Sequence, residues 1–132
     1  MPVQSIQALG ALLIGGVFVF AGIEHFLKFG AMRDYLAAQK FPAPALMLAV
    51  GSMVEAVAGF LLAVGITRPF AAGALATFTL ATNVMLLRFW AVEEPERQVL
   101  RNAFLVNIAV IGGLLLAGTL YVAWGFRPGR LT

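Results

Sequence analysis

The chain has no cysteine, a single histidine (His25) and two serines (Ser5 and Ser52) among 132 residues. Without cysteine it forms no disulfide, ligates no iron–sulfur cluster and offers no thiolate. One histidine excludes a two-histidine haem site within a subunit and leaves no metal-ligand set to expect. Neither serine stands beside the histidine in sequence, and no motif for phosphate binding, metal-dependent hydrolysis or nucleophilic catalysis occurs. Charge is scarce too, at 11% of residues against about 25% in soluble domains. The net charge of +3 comes from arginines and lysines in connectors and tail. Such side chains sit at headgroup level in membrane proteins, and no nucleic-acid partner is read from them.

What the chain does have is apolar length. Hydrophobic residues make up 61% of it, concentrated in runs over 6–23, 44–66, 70–87 and 103–124. A hydrocarbon core about 30 Å thick needs about 20 helical residues at roughly 1.5 Å each. Each run is long enough, or nearly so, and little chain remains for a soluble domain. The runs are continuously apolar, whereas strands of a membrane barrel alternate. The expected class is therefore an all-α membrane protein, an antiparallel four-helix transmembrane bundle forming one domain over 1–132. No lysine or arginine precedes the first run and no small-x-small cleavage site follows it, so it reads as a retained helix.

The first helix is expected to continue to about Phe29, carrying Glu24, His25 and Lys28 on its last turn. Glu24 and Lys28 are spaced four apart, in the favourable order for a helix ion pair. The connector over 30–43 mixes Met32, Tyr35, Leu36 and Phe41 with Arg33, Asp34, Gln39 and Lys40, a pattern suited to a short interfacial helix. Pro42-x-Pro44 ends it and opens the second helix, where proline is tolerated in the first turn. That helix is expected to end near Gly65, with Thr67-Arg68-Pro69 as a tight turn. Arg88-Phe89-Trp90 closes the third helix as an interfacial belt. Glu93-Glu94-Pro95-Glu96 is a charged turn, and Arg127 onwards a short tail. Connectors 1–2 and 3–4 carry Lys28, Arg33, Lys40, Arg88, Arg97 and Arg101; the other side carries Arg68, Arg127 and Arg130. The positive-inside tendency then puts the two larger connectors in the cytoplasm.

Glu55 falls at the middle of the second run, hence near the bilayer centre. A carboxylate facing lipid there costs at least about 2.5–3.5 kcal/mol, so it is expected to face the interior or be protonated. Gly51 and Gly59 flank it one turn away and would admit a close neighbour. Asn83 and Asn107 lie in the third and fourth helices. By helix count, Glu24, His25, Asn83, Arg88, Trp90 and Asn107 share one half of the bilayer, with Glu55 as floor of a possible polar cavity. Each also has a plainer reading: the asparagines as interhelical glue, His25 as an ion-paired interfacial residue, Glu24–Lys28 as a helix-end salt bridge, Trp90 as an anchor. Gly15, Gly16, Gly22, Gly112 and Gly113 read as packing positions.

The chain resembles the DoxX family of small four-helix membrane proteins. The resemblance rests on Ala21-Gly22-x-Glu24, Gly51-x-x-x-Glu55-x-x-x-Gly59, Thr67-Arg68, Phe89-Trp90 and Phe104-Leu105-x-Asn107-x-Ala109-x-x-Gly112-Gly113, in that order. It departs where members often carry a histidine shortly before the Phe-Trp pair, here Leu87-Arg88, and a lysine before the helix-4 asparagine, here Val106. Any role those two residues serve elsewhere does not carry over. The resemblance implies a bacterial inner or plasma membrane and an association with redox metabolism. Some relatives are linked to quinone-coupled thiosulfate oxidation, others to complexes that resist oxidative stress.

Three functions suit these residues. The first is a membrane subunit that binds quinone or another lipophile for a redox partner. Glu55 would then relay a proton, Asn83 and Asn107 bond a carbonyl oxygen, and Phe89 or Trp90 stack on a ring, with Glu24 and His25 beside them. The chain has no electron carrier, so the partner would supply electrons. The second is a non-enzymatic accessory or scaffold subunit, with the lipid bilayer, a larger complex or a homo-oligomer as partner. The third is a small transporter, which would need an oligomer because four helices leave little room for a pore.

Overall fold

The computed structural model describes residues 3–125. The tail expected from Arg127, and with it Arg127 and Arg130 of the charge count, lies outside them. The described residues are helical with no strand: α1 (Val3–Leu27), α2 (Phe29–Ala38), α3 (Pro44–Val64), α4 (Arg68–Leu86), a single 3-10 turn (Phe89–Ala91) and α5 (Glu96–Gly125). Four of the helices are long and apolar enough to cross a membrane, as the apolar runs predict.

Local chemistry sets the boundaries. α1 stops at Leu27, two residues earlier than expected, because the chain turns at Lys28 and restarts as α2. The short interfacial helix anticipated from the connector is α2, and its Leu36 is buried. It ends with Lys40 in the left-handed region (φ 64°), the Phe41 N–H bonding the Leu36 carbonyl at 3.2 Å. Pro44 opens α3 as its first residue. Gly65 closes it with φ 86°, and the Ile66 N–H returns 2.8 Å to the Leu61 carbonyl. That six-to-one bond with a left-handed residue is the Schellman closure, which glycine adopts without steric cost. α5 begins at Glu96, about two turns ahead of its apolar run, with an acidic side chain in the first turn where the helix dipole favours it.

The chain forms two compact units, divided between Thr67 and Arg68. In the first, α1 packs on α3 and α2 lies against α3. The buried positions of α3 include Leu48, Ser52, Glu55, Gly59 and Leu62, a three-four spacing that places them on one stripe. α1 answers with Ala11, Gly15 and Gly22. Gly15 abuts the backbone of Gly59 and Ala63, and Gly22 that of Ser52 and Ala56, so the helices run antiparallel. In the second unit α5 packs on α4 and on the 3-10 turn. Gly118 meets Ala72 and Pro69 near one end, while Asn107 reaches Asn83 near the other, again antiparallel.

The expected packing role holds for Gly15 and Gly22 but not for Gly16 and Gly112, which face outward with nothing within 4 Å of where a Cβ would stand. Gly16 is one residue, or about 100°, round the helix from the α1–α3 seam. Large apolar side chains also point outward: Phe20 is 68% and Phe70 81% exposed. In water such a surface would aggregate; in a bilayer it meets acyl chains.

Candidate functional site

Glu55 occupies the inner stripe of α3, with 6% of its surface exposed. It does not face lipid. Its carboxylate Oε2 lies 2.7 Å from Nδ1 of His25 on α1. The separation is that of an ion pair, and Oε2 takes no hydrogen bond from any other group. Side-chain direction explains why these two meet. The Cα–Cβ bonds of a helix tilt towards its N-terminus. In an antiparallel pair, His25 and Glu55 therefore lean towards each other, across the level where Gly22 touches Ser52. Without a side chain at Gly22 the helices approach closely enough for contact.

Ser52 stands one turn before Glu55 on the same stripe and is 1% exposed. Its Oγ has no hydrogen-bond partner. The His25 side chain is 25% exposed, so it links the buried Ser52 and Glu55 to the surroundings. Glu24, the adjacent residue, turns away: its carboxylate takes Nζ of Lys28 at 2.8 Å in an exposed i,i+4 pair. Of the candidates on α1, His25 faces the carboxyl of Glu55 and Glu24 has the helix-end role.

The second unit holds the other polar cluster. Asn83 is fully buried and bonded through both ends of its amide. Nδ2 of Asn107 donates to its Oδ1 at 2.8 Å, and its own Nδ2 donates to the carbonyl of Phe104 at 3.2 Å. The Phe104 ring in turn stands edge-on to Phe89 at 5.3 Å and to Trp90 at 6.1 Å. Phe89 and Trp90 are themselves T-shaped at 5.2 Å, so three rings pin the 3-10 turn to α5. Trp90 remains half exposed. This arrangement ties helices together; the asparagines are engaged with each other and with backbone.

A family model for DoxX matches residues 7–88, well over half of the chain. The chain belongs to the DoxX family. No curated protein and no solved structure matches it. In this DoxX chain the matched stretch contains Gly22, His25, Ser52, Glu55 and Asn83, whereas Trp90, Asn107 and all of α5 lie beyond it.

An apolar cleft of about 370 Å³ also opens between α4 and α5, lined by Pro69, Ala72, Gly73, Leu114, Leu115, Gly118 and Thr119. Its one hydroxyl, on Thr119, is spent on the Leu115 and Leu116 carbonyls at 3.0 and 3.1 Å. The cleft offers shape without reactive groups. The polar side chains that are not spent on tying helices together lie in the first unit, at His25, Ser52 and Glu55. Sequence reasoning singled out Glu55 and His25 but neither paired them nor selected Ser52. The readable signal for Ser52 was its i,i+3 spacing from an intramembrane acid, which puts both on one helix face.

Proposed function

We propose that this DoxX protein is a multi-pass subunit of the bacterial inner membrane that binds a quinone or similar lipophile for a redox partner, with the His25–Glu55 pair handling the proton. One observation carries the reading: a carboxyl sheltered at the middle of a membrane helix, ion-paired with an imidazole, beside a buried serine hydroxyl that has no hydrogen-bond partner. An ionisable residue at such a depth is costly, and is retained where it moves a proton or meets a ligand. The residues fit a quinone-type ligand through complementary donors and acceptors: the Ser52 hydroxyl and the imidazole donate, the carboxylate accepts. Such a ligand, when bound, carries electrons supplied by the partner. Glu55 holds or releases the accompanying proton, and half-buried His25 passes it to or from the surroundings. The cytoplasm is the proposed side for connectors 1–2 and 3–4.

A structural role is favoured at a different place. The Asn83–Asn107–Phe104 tie is internally satisfied and asks for no ligand. It supports the view that the second unit serves as scaffold or accessory surface.

The test is gentle purification into lipid nanodiscs, followed by mass spectrometry for bound quinone and by assay of co-purified redox activity. Wild-type protein should retain quinone, and Glu55→Gln and His25→Ala should each lower its occupancy about tenfold or more. A charge-assisted hydrogen bond contributes about 1.5–3 kcal/mol, and about 1.4 kcal/mol is a factor of ten. Absence of quinone from the wild type, with partner activity indifferent to Glu55→Gln, rejects the reading.

A further inference from the structure

Among the described residues, the threonine hydroxyls of the apolar helices are satisfied by their own backbone, and Ser52 is the one buried hydroxyl that is not. Thr77, Thr79, Thr82 and Thr119 each donate to the carbonyl four residues back, at 2.9, 2.7, 3.0 and 3.0 Å. This is the usual recourse where no water is at hand. Ser52 departs from it. The residue is 1% exposed, and its Oγ bonds neither its own helix nor another. One turn along the same face, Oε2 of Glu55 meets Nδ1 of His25 at 2.7 Å as an ion pair and takes no hydrogen bond from any other group. These two oxygens together on one stripe, with a half-buried imidazole beside them, mark a receptor rather than an isolated defect, since each alone costs free energy to bury.

We infer that Ser52 Oγ and Glu55 Oε2 jointly receive a single hydroxyl-type oxygen, either a water molecule or the hydroxyl of a quinol-class ligand. Hydrogen-bond logic selects this guest. A carboxylate oxygen accepts only, so the guest must carry an O–H to give; the serine hydroxyl donates, so the guest must offer a lone pair. An apolar guest would leave both atoms as they are. A hard cation prefers six or more oxygen ligands, more than one hydroxyl and one carboxyl supply. Ser52 is thus a positioning residue for the Glu55 carboxyl, setting the direction of its proton. The ligand-hydroxyl source rests on the function proposed above, whereas the water source stands without it.

Infrared difference spectroscopy of the full-length protein in lipid nanodiscs tests this. Subtracting Glu55→Gln from wild type isolates the bands of the Glu55 carboxyl in whichever ionisation state it has. If the guest is water, changing ordinary water for water labelled with oxygen-18 shifts an O–H stretching band in the wild type, and that band is lost in Ser52→Ala and Glu55→Gln. If the guest is the ligand, the band is indifferent to labelled water and appears only on adding a ubiquinol with a truncated tail, again only when Ser52 is intact. In either case Ser52→Ala displaces the Glu55 band. The proposal is overturned if Ser52→Ala leaves the Glu55 band and the O–H region identical to wild type with and without quinol. Should Ser52→Ala not fold, Glu55→Gln decides alone: persistence of the same O–H band in that variant overturns the proposal. Loss of quinone binding with the labelled-water band intact removes the quinone function and keeps the water site.

Discussion

At the residue scale, membrane position made Glu55 conspicuous and its neighbours hard to recognise. An acid inside an apolar run is visible in any hydropathy profile. Its partner is not, because His25 lies on another helix and the pairing depends on the register between them. Ser52 is harder still: serine is common at close helix contacts, and its missing hydrogen bond exists only in three dimensions. The asparagines show the reverse. Both readings of Asn83 and Asn107 were open in the sequence, and the structure joins the two amides to each other. Interhelical hydrogen bonds in membranes average about 0.6 kcal/mol and reach about 1.7. A double-mutant cycle of Asn83→Ala and Asn107→Ala, followed by unfolding in detergent micelles, should therefore give a coupling energy of about 0.5–1.7 kcal/mol. Asn83→Ala alone should be the more damaging single change, because it also releases the Phe104 carbonyl. Strictly additive effects would show that the 2.8 Å contact contributes nothing to stability.

At the element scale, helix boundaries were legible because they are written in special residues. Pro44 starts α3, Gly65 stops it, and Glu96 opens α5. The end of α1 was misplaced by two residues because the corner at Lys28 has no proline or glycine to announce it. Helix faces were less legible than helix ends. Glycines at 15 and 16 look alike in sequence, yet one lies in the α1–α3 seam and the other faces outward. That contrast gives a clean experiment. A Cβ added at Gly22 would stand 2.8 Å from the Ala56 nitrogen and the Ser52 carbonyl oxygen, both backbone atoms that cannot swing aside. Gly22→Ala should thus force α1 and α3 apart and cost about 1–3 kcal/mol, the usual range for overpacking. Gly16→Ala meets nothing within 4 Å and should be neutral or slightly stabilising, since alanine is the better helix former by up to about 1 kcal/mol. Unfolding midpoints in the same micelles compare the two. Equal midpoints would mean that the seam tolerates a methyl group and that the glycine at 22 does not set the helix approach.

For the whole molecule, the number of crossings decides which connectors share a side. Four membrane-spanning helices in series oblige the segment between α1 and α3 and the segment between α4 and α5 to emerge together, and the turn at 65–67 to emerge opposite. That parity follows from chain order alone, which is why it was readable before any coordinates. The lack of cysteine makes it directly measurable, since any thiol introduced is the only one present. Arg33, Thr67 and Glu94 are all exposed, so single Arg33→Cys, Thr67→Cys and Glu94→Cys variants should leave packing undisturbed. In intact bacteria, a membrane-impermeant maleimide should label Thr67→Cys. It should reach Arg33→Cys and Glu94→Cys only after the membrane is opened, as the cytoplasmic side proposed for those connectors from their lysine and arginine excess requires. Reversal of all three results would invert the orientation and preserve the four crossings. Labelling of Arg33→Cys and Glu94→Cys from opposite sides would break the crossing count, and with it the assignment of α1, α3, α4 and α5 as four spans.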